Sequence, residues 1–150
     1  MPATSIETPL GWVSLIERDG AITALEWGRK GEDTTPLLTE ATKQLNAYFS
    51  HDLKDFSLPV NPSGDAFQQA VCAAMQEIPY GETREYGEIA RELGSMPQPV
   101  GNACGNNSIA VIIPCHRVVG KTGLGGFSAP GGVETKIALL KHEGAYGLLI

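Results

Sequence analysis

A chain of 150 residues, 42% of them apolar, can bury a core of ordinary size without a metal or disulfide staple. Its formal charge of -6, from 11 basic and 17 acidic side chains, excludes the basic composition that would by itself announce a nucleic-acid binder, because neutralising phosphates takes Lys and Arg on the docking face. Cys72, Cys104 and Cys115 are an odd set with no CxxC pair, which indicates neither a disulfide framework nor a zinc knuckle and suits a reducing compartment.

Met1 to Ser5 has no basic segment leading into an apolar one, and no stretch approaches membrane-spanning length, so a cytoplasmic protein with no membrane partner is expected. Trp12 to Glu17 and Ala21 to Trp27 are apolar and β-branched runs separated by Arg18-Asp19-Gly20. An Asp-Gly between such runs predicts a hairpin, so the chain opens with antiparallel strands. From Pro36, the positions Leu38, Ala41, Leu45 and Tyr48 or Phe49 recur at three-to-four spacing and predict an amphipathic helix ending near His51, itself a surface residue. Leu58 to Gly64, with two prolines, a serine and a glycine, reads as a linker and sets the lobe boundary at residues 1–63 and 64–150.

Beyond it, Phe67, Val71, Met75 and Ile78 line a helix that stops at Pro79-Tyr80-Gly81. Thr83 can cap the next helix, whose apolar stripe is Tyr86, Ile89, Ala90 and Leu93 before Gly94 ends it. Pro97-Gln98-Pro99 starts a short third helix with Val100 and Ala103 inward, closed by Gly105-Asn106-Asn107. Two helices joined by the brief turn Gly94 to Pro97 have the outline of a helix-turn-helix. Ile109 to Ile113 reads as a buried strand that delivers Cys115. A loop from Gly120 to Gly132 with six glycines follows; it lacks the GxxxxGK[ST] order of a phosphate loop and reads as a flexible lid or a substrate-edge loop. A last helix carries Val133, Ile137 and Leu140 on one face and ends at His142-Glu143-Gly144. Residues 1–63 carry 9 acidic and 5 basic side chains and residues 64–150 carry 8 and 6, which leaves the second part better placed to meet a polyanion.

Cys72 and Cys104 lie on helices among apolar neighbours and read as packing residues. Cys115 differs, because His116 beside it and His142-Glu143 further on supply a base and a carboxylate, the relay that lowers a thiol pKa. Spacing alone leaves it either an inert small hydrophobe or a nucleophile. Neighbours on a strand point to opposite faces, so a Cys115–His116 dyad needs a turn at Cys115 or a bridging water. Tyr86 reads by periodicity as a core aromatic.

Pro114-Cys115-His116-Arg117-Val118, preceded by Val100-Gly101-Asn102-Ala103 and Asn107 and followed by Gly126-Phe127-Ser128 and His142-Glu143-Gly144, resembles the O6-alkylguanine-DNA alkyltransferases. The likeness runs from about Phe67 to Gly144; the first 60 residues match in length and in their hairpin-plus-helix outline. The resemblance implies an α/β (α+β) protein with a small N-terminal lobe of antiparallel sheet and helix, and a mostly helical C-terminal lobe with the helix-turn-helix and an active-site loop. It implies a monomer that binds double-stranded DNA, flips out O6-alkylguanine, or O4-alkylthymine, and takes the alkyl group irreversibly on Cys115. No cofactor is needed because the protein is the acceptor.

Carried over by motif, His116 is the base acting through water, Glu143 orients it and Asn107 braces the Cys115 segment. Tyr86 presses on the phosphate of the flipped nucleotide and helps protonate the leaving guanine. Ser128 donates to O6, the Val118 carbonyl accepts from the guanine amino group, and Gly126 and Arg117 fall among the substrate- and DNA-binding residues. The family's usual arginine at the start of the recognition helix is here Gln98, which can hydrogen-bond the orphaned base but lacks charge and planar stacking. Ser108 replaces a common proline. No counterpart of the zinc ligands of some members exists among residues 1–63, so no metal is expected. The nearest rival, an alkyltransferase-like damage sensor, lacks the motif cysteine; a cysteine hydrolase that ignores DNA is the third reading.

Overall fold

The computed structural model of the chain describes residues 1–127 and 129–145. It divides into two compact units, Met1–Pro62 and Ser63–Ile150.

In the first unit, β1 (Ala3–Thr8), β2 (Gly11–Arg18) and β3 (Ala21–Trp27) form an antiparallel sheet in the order β1-β2-β3. The expected hairpin joins β2 to β3, with Asp19 at φ 52° and Gly20 at φ 79°, the two left-handed residues that a tight turn matching the strand twist requires. Sequence reading missed β1, because Thr4, Ser5 and Thr8 dilute its apolar pattern. Their hydroxyls are used locally: Ser5 Oγ donates to the Gly31 carbonyl at 2.7 Å, and the fully buried Ser14 of β2 donates to the Gly28 carbonyl at 2.8 Å. Helix α1 (Pro36–Phe49) starts at Thr35, whose side chain accepts from the Leu38 N–H, and buries Leu38, Ala41, Leu45 and Tyr48 as its spacing predicts. The segment read as a linker does more than connect. Pro59 accepts from the Ile22 N–H at 2.9 Å and Asn61 donates to the Ile22 carbonyl at 2.8 Å, so it runs along the edge of β3.

In the second unit, α2 (Ala66–Gln76) is capped by Asp65, whose carboxylate accepts from the Gln68 N–H at 2.9 Å. Thr83 caps nothing: Arg84–Glu85 form a two-residue strand, β4, and Glu85 starts α3 (Tyr86–Leu93) through a reciprocal box with Glu88. The acidic side chain wins because Glu85 and Glu88 satisfy each other's backbone N–H groups together. Gly94, left-handed at φ 67°, ends α3, and three residues later α4 (Pro97–Gly105) begins. The helix-turn-helix outline is therefore present, with α3 packed on α4.

Ile109 to Ile113 is buried but is not a strand. Val111 sits at φ 73°, the Ile113 N–H donates to the Ile109 carbonyl at 2.9 Å, and the Asn107 side chain clamps both ends: Nδ2 donates to the Ile113 carbonyl at 2.8 Å and Oδ1 accepts from the Ile109 N–H at 3.0 Å. Satisfying backbone groups within the segment is what lets irregular chain lie in a core. Cys115–Arg117 then form one 3-10 turn and Val118–Val119 the strand β5, parallel to β4. Helix α5 (Val133–His142) closes the described chain, and no helix among the described residues is long and apolar enough to cross a membrane.

Candidate active site

Cys115 is 7% exposed and forms part of the wall of a cavity of about 890 Å³ with Tyr86, Gln98, Gly101, Cys104, Gly126 and Phe127. Its own N–H donates to the Ile113 carbonyl at 2.8 Å, so the clamp that Asn107 puts on the 109–113 turn fixes the thiol as well. Burial pushes the thiol above its ordinary range, opposed by a hydrogen bond from Asn107 and by the Lys136 ammonium. In the free protein the group is therefore a thiol, where the sequence reading looks to a relay that lowers its pKa.

Turning the chain at Cys115 also removes the strand geometry that sets neighbouring side chains on opposite faces. His116 is fully buried, with Nε2 2.7 Å from Glu143 Oε2. Because Glu143 also accepts two bonds from Arg117, Nε to Oε1 at 2.8 Å and Nη2 to Oε2 at 2.9 Å, it is an acceptor, and Nε2 carries the proton. Nδ1 then holds the lone pair, and it has no hydrogen-bond partner among the described residues. Burial lowers the His116 pKa from 6.5 against the opposing pull of Glu143, so the imidazole is a neutral base at pH 7.

Arg117, named by the motif among the substrate- and DNA-binding residues, has its side chain committed within the protein. It is 6% exposed, holds Glu143 and donates from Nη1 to the Ile78 carbonyl at 2.7 Å. Its place in the motif is to neutralise the carboxylate that orients His116, since a buried charge without a partner is costly.

Lys136 is the residue that sequence reading missed. The apolar face expected of α5 was Val133, Ile137 and Leu140, but Val133 is 41% exposed and the buried positions are Lys136, Leu139 and Leu140. Lys136 stands three residues after Val133 and four before Leu140, on the same stripe, which was the available signal. Its Nζ donates to the carbonyls of Val118 at 2.6 Å, Leu124 at 2.5 Å and Gly126 at 3.2 Å, and to Tyr86 Oη at 3.3 Å. One buried ammonium thus ties β5, the glycine loop and α3 together. Desolvation lowers its pKa to about 8, with the nearby thiols pulling the other way. Burial raises Tyr86 to about 12, which keeps its hydroxyl protonated.

A thiol on a cavity wall, a neutral histidine oriented by a carboxylate and a protonated tyrosine across the cavity suit transfer of a group to sulfur from a leaving base that needs a proton. The sequence model of the 6-O-methylguanine DNA methyltransferase DNA-binding domain matches residues 66–145, and that of its ribonuclease-like domain matches residues 1–62. The chain belongs to this family. The methylated-DNA–protein-cysteine methyltransferase of Mycolicibacterium paratuberculosis is 40% identical over 150 residues, covering 93% of this chain and 90% of its own. The constitutive enzyme of Bacillus subtilis is 40% identical over 155 residues, covering 93% of each. Among solved structures, the Mycobacterium tuberculosis OGT in complex with DNA superposes with a TM-score of 0.84 at 37% identity, over 96% of this chain and 93% of that one.

Of the residues that the family resemblance singles out, the structure gathers Cys115, Tyr86, Gln98 and Gly126 around the cavity, with His116, Glu143 and Asn107 behind it. Val118 is fully buried and its carbonyl already accepts from Lys136. Gln98 is exposed in the first turn of α4. Ser128 lies outside the described residues. Cys104, read as packing, shares the cavity wall with Cys115, while burial pushes its thiol up to about 12. Among the described residues, no three His, Cys, Asp or Glu side chains gather as a metal site.

Proposed function

We propose that this chain repairs double-stranded DNA by accepting on Cys115 the alkyl group of O6-alkylguanine, and of O4-alkylthymine, after the damaged base has turned out of the stack. An atom inside a duplex is out of reach of a buried thiol, so the base must come to the cavity. The observation that carries this reading is the Glu143–His116 hydrogen bond at 2.7 Å, set behind a buried cysteine on a cavity wall.

The starting state is a thiol and a neutral imidazole. As sulfur approaches the alkyl carbon, the thiol proton passes through a water to His116 Nδ1, and Glu143 stabilises the imidazolium. The S–C bond forms and the C–O6 bond breaks, its electron pair returning to the base. Tyr86 gives its proton to the leaving guanine. Lys136 Nζ, 3.3 Å from Tyr86 Oη, can restore that proton, because its pKa of about 8 lies below the tyrosine's of about 12. The product is a neutral guanine and an S-alkyl cysteine. A thioether is a poor alkyl donor, so each molecule acts once and no cofactor takes part.

Asn107 braces the nucleophile, Gln98 meets the orphaned partner base, and Gly126 and the Val118 carbonyl, with one lone pair committed to Lys136, border the incoming base. Ser128 completes the set as a donor to O6. All of these groups lie in residues 64–150, which we assign as the DNA-binding and catalytic domain, with residues 1–63 as a separate α/β lobe. We place the protein in the cytoplasm as a monomer, in keeping with its free cysteines.

Incubation with a duplex carrying one O6-methylguanine, followed by intact-mass measurement, tests the reading. A single methyl adduct is expected on the wild type and none on Cys115→Ala. Tight binding of the damaged duplex without an adduct would instead make the protein a sensor, and turnover beyond one equivalent would make it a hydrolase.

A further inference from the structure

Helix α4, the second helix of the helix-turn-helix, contains no charged side chain: its sequence is Pro97-Gln98-Pro99-Val100-Gly101-Asn102-Ala103-Cys104-Gly105. Immediately before it, as the N-cap, stands Met96, 68% exposed. The exposed large apolar side chains among the described residues are Met1, Trp12, Met96 and Val133, and of these only Met96 adjoins residues that line the Cys115 cavity, namely Pro97 and Gln98. An N-cap usually carries Ser, Thr, Asp or Asn, and Met96 makes no side-chain cap hydrogen bond. The helix start therefore gives up a cap at this position and presents a thioether to solvent.

The segment is stiff where it needs to be. Pro97 and Pro99 fix two backbone torsions in the first turn, and Pro97 Cγ lies over Gly87 of α3, 3.9 Å from where a Cβ would stand there. An exposed apolar side chain next in sequence to two residues of the cavity wall, on a rigid uncharged turn, is suited to the apolar gap between base pairs and not to phosphate.

We propose that Met96 is a wedge that enters the base stack beside the damaged nucleotide and holds the duplex open while the flipped base occupies the cavity. Proteins that kink DNA from the minor groove insert Met, Leu, Ile, Phe or Pro between base steps in this way. The thioether supplies a large apolar surface on an adaptable stem. Gln98 then supplies hydrogen bonds to the unpaired base and Met96 the contact area, a division of labour between two adjacent positions. The proposal rests on the base-flipping function stated above.

The test compares single-turnover transfer from an O6-methylguanine duplex with transfer from the same strand unpaired. A single strand has no partner stack to prise apart, so the wedge matters only for the duplex. Met96→Ala is expected to slow transfer from the duplex by about tenfold and to leave the single-strand rate within about twofold, since only the duplex has a stack to hold open. Met96→Leu, which restores an apolar side chain of similar volume, should recover most of the duplex rate. Equal slowing on both substrates, or no slowing on the duplex, overturns the wedge while leaving alkyl transfer intact. A wild-type protein that transfers from neither substrate overturns the functional reading and the wedge with it.

Discussion

At the scale of single residues, Lys136 is where structural and chemical demands meet. An ammonium buried in α5 is unfavourable by itself, and it is tolerated because three carbonyls and a tyrosine oxygen replace its water. The folded pKa of about 8 lies below the value of about 10.4 for an exposed lysine, so the unfolded chain holds the proton more tightly. The stability linked to this group is thus complete above the unfolded value and falls away as pH drops through about 8. Activity has the opposite sign. Loss of the proton above about pH 8 removes a donor from the Val118, Leu124 and Gly126 carbonyls and the means of reprotonating Tyr86. Transfer by the wild type should therefore turn down on the alkaline side of about pH 8, whereas Lys136→Met should be slower by at least about tenfold at pH 7 and show no downturn there. Single-turnover rates across pH 6 to 9, with the fold checked by circular dichroism, decide the matter: an alkaline arm that persists in Lys136→Met assigns it to another group.

At the scale of elements, the site depends on how closely the glycine loop approaches α3. Gly125 has φ 74°, and a Cβ there would sit 2.5 Å from Tyr86 Oη and 2.8 Å from its Cε2. Gly125→Ala must either push the loop away from Lys136 or displace the tyrosine ring. The left-handed backbone adds about 1 to 2 kcal/mol of strain. Because misplacing a catalytic group by about 1 Å can cost on the order of a hundredfold, transfer should fall by about ten- to a hundredfold, with only a modest drop in melting temperature. A variant with wild-type transfer would show that the loop yields without moving Tyr86.

The same region marks what could be read from the sequence. The hairpin, α1, α2 and the α3–α4 pair were legible because periodicity, Asp19-Gly20, Gly94 and the Pro97 start are local signals, and local bonds enforce them. The motif around Cys115 offered a candidate nucleophile, but its surroundings depend on contacts distant in sequence. Five apolar residues that look like a strand are wound into a turn by Asn107, and a lysine on an apolar stripe is drawn inward by carbonyls 10 to 18 residues away. Arg117, which composition would offer to phosphate, is consumed by Glu143.

At the scale of the whole molecule, the charge of -6 must be reconciled with a polyanionic partner. Of the six basic side chains in residues 64–150, Arg117 and Lys136 are buried and Arg84 is paired with Glu92 at 2.7 Å. Arg91, Lys121 and Lys141 are exposed, and α4 has no basic residue. Few phosphates can be neutralised, so counterion release contributes little to affinity. With about two phosphate contacts, raising salt from 50 to 200 mM should weaken duplex binding by about tenfold, far less than for a basic DNA-binding domain. Selectivity for damage must then come from the cavity and from the start of α4, where an undamaged duplex gains almost nothing. Gln98→Arg adds a cation and a planar stacking surface at that point, so it should tighten binding and steepen the salt dependence by about one contact. Titrations of damaged and undamaged duplex at several salt concentrations read both effects. If Gln98→Arg leaves affinity and slope unchanged, position 98 does not meet the nucleic acid, and the placement of α4 against the duplex is wrong.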